Sequence, residues 1–127
     1  MTALTFTAPP PGLHPLTEFR LDVVEGAEGL YALRAEAAPA VRLYAVDARH
    51  YVPGYEPELA ADELSDIGAS SAEDALLLVV VTPGEDGHTV NLAAPVLVDP
   101  DSRRATQVIL DGDWPVAAPL GRTTAQD

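Results

Sequence analysis

The chain has 127 residues and a mass of 13.3 kDa, the size of one domain, and 47% of its residues are hydrophobic, enough for a core without metal or disulfide support. Seven Lys and Arg stand against 20 Asp and Glu, a formal charge of −13 that repels phosphate and so disfavours direct contact with nucleic acid or anionic membranes. The absence of cysteine excludes a disulfide scaffold, a thiolate zinc site and a cysteine nucleophile, and it suits a reducing compartment.

Met1-Thr-Ala-Leu-Thr-Phe-Thr7 carries neither the basic stretch nor the long apolar stretch of a secretory signal. The longest aliphatic run, residues 75–81, is too short to span a bilayer, so a cytoplasmic protein is expected. Residues 4–7 alternate as a short strand, stopped by Pro9-Pro-Pro-Gly12. Phe19, Leu21 and Val23 share one face of a second strand, with Arg20 and Asp22 on the other. Residues 30–34 and 41–47 are further strands. In the latter, Tyr44 and Val46 lie opposite Leu43 and Ala45, which predicts a strand covered on both faces.

Helix signals appear once, over residues 59–67. Asp62 and Glu63 come early, Leu64 and Ile67 are three apart, and Gly68 marks the stop. Ser70-Ser-Ala-Glu73 fits a capping box with room for a single turn. The apolar run 75–82 predicts a central strand buried on both faces. Pro83-Gly-Glu-Asp-Gly87 is a hairpin loop, residues 89–92 return, Pro95 interrupts, and 96–98 resume. Asp99-Pro-Asp-Ser102 is a turn before a strand over 106–110, and Trp114-Pro-Val116 pairs at an edge. These elements predict an all-β, mainly antiparallel fold: a small, partly open β-barrel or sandwich with one short helix. Residues 1–120 form its single domain, and 121–127 are expected to be a flexible tail.

Little in the chain points to catalysis. His14, His50 and His88 stand singly, without the spacing that puts two imidazoles on one metal, and no G-x-S-x-G is present. Gly26-Ala-Glu-Gly29 and Gly84-Glu-Asp-Gly87 carry acids where phosphate would sit and read as hairpin turns. No catalytic residue, metal or cofactor is assigned. Glu56, Glu58, Asp62, Glu63, Asp66, Glu73 and Asp74 crowd one stretch, either as a solvated face or as a patch turned to a partner. Tyr51-Val-Pro-Gly-Tyr-Glu-Pro-Glu-Leu59 follows no regular period. Either it is a rigid contact loop or Tyr55 plugs a barrel end, and the residues leave both open. Asn91, between Val90 and Leu92 beside a buried run, must bond the backbone near Pro95 or face a partner.

Several of these segments, taken in order, resemble the FliW family. Tyr55-Glu-Pro-Glu-Leu59, followed by Asp62-Glu-Leu64 and Gly68, is similar to that family's D-Y-E-P-E-L block. Thr89-Val-Asn-Leu-Ala-Ala-Pro-Val-Leu-Val-Asp99 is similar to T-V-N-L-x-A-P-I-x-I-N, with Arg103, Arg104 and Gln107 in register. Trp114-Pro-Val116 and Pro119-Leu120 resemble the closing Y-P-V-x-x-P-L. Gly54, Asp99, Ala105, Thr106 and Ala117-Ala118 depart from the pattern. The resemblance implies a β-barrel-like protein, monomeric when free and without catalytic activity. Its implied partners are flagellin and the RNA-binding translational regulator CsrA, whose repression of flagellin translation it relieves. On this basis Tyr55, Glu56, Glu58 and Asn91 are expected to bind a partner, and Asp62, Glu63 and Asp66 to act electrostatically. The rival expectations are a flagellin-binding chaperone that acts without CsrA and a small-ligand-binding β-barrel.

Overall fold

The computed structural model describes residues 2–8, 13, 15–52, 54–55, 57, 59, 61–82, 87–110 and 112–119. Strands β1 (Thr2–Phe6), β2 (Glu18–Val23), β3 (Leu30–Ala35) and β4 (Arg42–Asp47) form an antiparallel meander. Its register sets Leu4 against Phe19, Leu21 against Leu33 and Leu33 against Leu43, so each strand's apolar face joins one interior. Two short helices follow, α1 (Ala48–Tyr51) and α2 (Ala61–Ile67), then a 3-10 turn at Ala72–Asp74. Strand β5 (Leu76–Thr82) pairs antiparallel with β4 on one side and with β7 (Val96–Asp99) on the other. Strand β8 (Arg104–Gln107) pairs antiparallel with β7 and parallel with β1, through Thr5 beside Arg104 and Phe6 beside Ala105. The seven strands β1–β2–β3–β4–β5–β7–β8 thereby close into a mixed barrel. Two-residue strands β6 (Thr89–Val90) and β9 (Ala118–Pro119) extend from β5 outside that closure.

The expected mainly antiparallel β fold is therefore present, as a barrel rather than a sandwich. Closure comes from the β4–β5 pairing, Tyr44 to Asp47 against Val81 to Leu78, which leaves no open seam. The parallel β1–β8 contact joins the first and last strands of the barrel, and no local pattern announces it. A second helix appears because Asp47, read as the end of a strand, is also an N-cap: its carboxylate accepts the Arg49 N–H at 3.0 Å. The strand expected over 106–110 begins earlier, at Arg104, and that expected over 89–92 stops at Val90. The expected tail 121–127, the turn at 9–12 and loop residues 83–86 lie outside the described residues.

Inside the barrel Leu4, Phe6, Phe19, Leu33, Leu78 and Val96 pack together, with the Phe6 and Phe19 rings edge to face at 5.2 Å. A second apolar layer lies on the outer face of β4, β5 and β7, where Val46, Leu77, Val79 and Leu97 are covered by Tyr55, Ile67 and Leu92. Within the run 75–82, Leu77, Leu78 and Val79 are thus buried on both faces, as the composition predicts, while Val80 and Val81 are half-buried and Thr82 is exposed. Tyr44 departs from expectation: it is 39% exposed, with the Arg42 guanidinium 5.4 Å from its ring centre.

Helix α2 is fixed at its C-terminal end. The Ala69 N–H donates to Leu64 O at 2.9 Å and the Gly68 N–H to Ser65 O at 3.0 Å, with Gly68 at φ +84. The Ser102 hydroxyl then donates to Ile67 O at 2.6 Å, tying the helix to the β7–β8 turn.

Leu78 is fully buried where the barrel interior meets β5. Leu78→Ala is expected to lower unfolding stability by about 2–5 kcal/mol in urea titration. A loss below about 1 kcal/mol would show that this interior is not close-packed.

Candidate interaction surface

Strands β6 and β7 lie in succession along one side of β5, but residues 91–95 intervene where β5 has only residues 79–80. The three extra residues force the chain out of the sheet, and the freed backbone groups find distant partners. Leu92 O accepts the Tyr55 hydroxyl at 2.6 Å, and Ala93 O accepts the Leu110 N–H at 2.9 Å. Ala94 O accepts the Gln107 side-chain amide at 2.9 Å, and Pro95 O accepts the Val108 N–H at 2.9 Å. Pro115 O accepts the Leu92 N–H at 2.9 Å.

Asn91 belongs to this bulge. Its side-chain Oδ1 accepts the Ala93 N–H at 3.0 Å while its own N–H donates to Val80 O at 3.0 Å. Of the two alternatives for Asn91, the structure displays the backbone bond. Tyr55 is 7% exposed, stands edge-on to Trp114 at 5.3 Å, and is part of the outer apolar layer. Of the two readings open for Tyr55, the ring belongs to the core, in the outer apolar layer rather than at a barrel end. Glu56 and Glu58 lie outside the described residues. On α2, Asp62 and Asp66 are exposed, while Glu63 is half-buried and less available as a diffuse charge. His50 stacks edge-on against Tyr51 at 4.9 Å and His88 is exposed; His14 lies outside the described residues. Among the described residues, no group of three His, Asp or Glu could hold a metal ion, and no helix is long and apolar enough to cross a membrane.

Sequence reasoning missed an apolar depression of about 440 Å³, which the inner side of the bulge helps to wall. Leu43 and Val80, inward-facing residues of β4 and β5, form part of it, with Leu13, Ile109 and Val116 and, from the bulge and its partner strand, Asn91, Ala93, Ala94 and Gln107. Ile109 is 65% and Val116 68% exposed, which leaves large aliphatic side chains in water at its rim. Only alternation past Gln107 hinted at Ile109, and nothing in the sequence hinted at Val116. A second hollow of about 480 Å³ lies under the Tyr55 loop, lined by Arg49, Val52, Pro57, Leu59 and Glu73. There the Arg49 guanidinium donates to Ala75 O at 2.8 Å.

A family model described as FliW protein matches residues 1–120. The flagellar assembly factor FliW 2 of Desulfotalea psychrophila is 34% identical over 85 residues, 66% of this chain and 56% of that relative. The flagellar assembly factor FliW of Symbiobacterium thermophilum is 43% identical over 65 residues, 50% of this chain and 47% of that relative. The chain thus spans about half the length of these curated relatives. A crystal structure of the flagellar assembly factor FliW superposes with a TM-score of 0.84 at 25% identity, covering 92% of this chain and 84% of that one.

Burial pushes the Tyr55 hydroxyl up from 10.0 to about 12. The unfolded chain therefore ionises this group first. Its contribution to stability is complete below pH 10 and is lost as the pH rises toward 12. Tyr55→Phe is expected to cost about 1–3 kcal/mol at neutral pH, because Leu92 O loses its donor. The same variant should also flatten the fall in stability above pH 10. Denaturant titrations at pH 7 and across the alkaline range check both; an unchanged alkaline slope would place the hydroxyl in solvent.

Proposed function

The chain belongs to the FliW family, and on that premise we propose that it is a cytoplasmic, non-enzymatic protein that binds flagellin and antagonises the RNA-binding regulator CsrA. The family match over residues 1–120 carries the proposal. The surface suits a protein partner: an uncharged depression with exposed Ile109 and Val116 offers area to bury, on a chain whose charge of −13 disfavours RNA itself.

Antagonism of CsrA follows from charge placed beside an RNA-binding surface rather than inside it. Two unit charges 10 Å apart in water repel by ~0.4 kcal/mol, cut to ~0.1 by physiological salt. Ten to twenty acid–phosphate pairs then give ~1–2 kcal/mol, within the usual range of coupling between two ligands. Asp62 and Asp66, both exposed on α2, are the described residues best placed for this diffuse role. Glu56 and Glu58 flank the Tyr55 core contact in sequence and are proposed as local docking residues. Free protein is proposed to be monomeric, its depression filled by the partner.

The purified protein should form a complex with the flagellin of its own organism at tens of micromolar, by size exclusion or calorimetry; no complex contradicts the flagellar reading. Asp62→Asn with Asp66→Asn removes two carboxylates and moves the formal charge from −13 to −11. CsrA binding should survive, while displacement of RNA weakens and depends less on salt. Undiminished displacement at low salt would reduce these acids to solubility. Flagellin binding without any CsrA binding would favour the chaperone reading.

A further inference from the structure

Residues 114–119 form a strap outside the closed barrel, and its attachments are few. Among the described residues, strand β9 pairs with β6, through Val90 opposite Ala118 and Thr89 opposite Pro119, and β6 is itself two residues long. The backbone bond from Leu92 N–H to Pro115 O, and half-buried Trp114 and Ala118 against the outer apolar layer, with Trp114 edge-on to Tyr55, add to that seam. Pro115, Val116 and Ala117 are exposed, so among the described residues nothing covers them from outside. At its entry Gly112 has φ +105, a conformation that glycine adopts without strain and that suits a pivot. By contrast, every barrel strand is paired on both sides.

We infer that this strap opens as a unit while the barrel stays closed, and that opening uncovers a strand edge on which an extended segment of the protein partner docks. Opening removes Pro115 O from the Leu92 N–H, bares the buried Val90, and frees one side of the Tyr55 ring. What lies there in the closed state shows the chemistry of the replacement: extended backbone with a carbonyl for Leu92 and an aromatic or large apolar side chain for the place of Trp114. Strap and partner segment compete for one edge, so strap stability sets the apparent affinity. The docking half of this inference rests on the flagellar reading above; the opening half does not.

Hydrogen exchange on the unmodified protein tests the opening directly. The Leu92 amide should exchange at least 100-fold faster than the amides of Leu78 and Leu97. Trp114, the only tryptophan, should be quenched by acrylamide well below the denaturant concentration that unfolds the barrel. Exchange of Leu92 at the core rate overturns the inference. The chain has no cysteine, so Val90→Cys with Ala118→Cys provides a single reversible staple; residues directly opposed in an antiparallel pair have Cα atoms about 4.5–5.5 Å apart, within disulfide reach. Thr89→Cys with Pro119→Cys is the second pair if loss of Val90 impairs folding. The oxidised staple should slow Leu92 exchange to within about tenfold of the core and weaken flagellin binding at least tenfold, both restored by reductant. If stapled and reduced forms bind flagellin equally, the docking edge is refuted. If no form binds flagellin, the flagellar reading fails, and the exchange comparison still decides the strap.

Discussion

The structure depends on one backbone problem: residues 91–95 carry three more residues than the facing stretch of β5 can pair. Left without partners, four buried or half-buried carbonyls would cost several kcal/mol together. They are satisfied instead by Tyr55 and by Gln107, Val108 and Leu110, which arrive from two separate parts of the chain. The Leu92 N–H is met by a third part, at Pro115. The segments that give the chain its family resemblance therefore converge on a structural knot. They explain the fold more directly than they explain the interface.

That knot also organises the surface. Its outer side holds Tyr55 and Trp114 over the second apolar layer, and its inner side walls the depression bounded by Ile109 and Val116. The acidic helix α2 is held by a different device, the Schellman turn at Gly68 and the hydroxyl of Ser102, which also accepts the Arg104 N–H at 3.2 Å. Asp99 supports the same turn by accepting the Ser102 N–H at 3.1 Å, which accounts for a buried carboxylate at this position. Arg103 passes through it at φ 62. The helix acids are thus presented on a stiff mount.

Legibility from sequence followed the range of the interactions. The strands of the meander and the double burial at the centre of the run 75–82 were readable, because periodicity and apolar runs are local. Helix α2 and its Gly68 stop were readable for the same reason. Helix α1 was hidden because Asp47 serves at once as a strand end and a cap. The β1–β8 closure and the bonds from Ser102 to Ile67 and Gln107 to Ala94 join distant residues, and a single sequence carries no signal for them. Tyr55 was balanced between core and contact on composition alone, and only its hydroxyl partner and burial separated the two.

The 91–95 knot is held by its own bonds, among them the Ala93 N–H to Asn91 Oδ1 at 3.0 Å. Asn91→Ala removes the acceptor of the Ala93 N–H and trims one half-buried side chain at the depression. Urea unfolding of that variant, paired with calorimetric titration of flagellin into the folded form, is the most direct measurement. A structural Asn91 predicts a loss of about 1–2 kcal/mol in stability with flagellin affinity unchanged within twofold. Unchanged stability with binding lost would contradict it and return Asn91 to the interface.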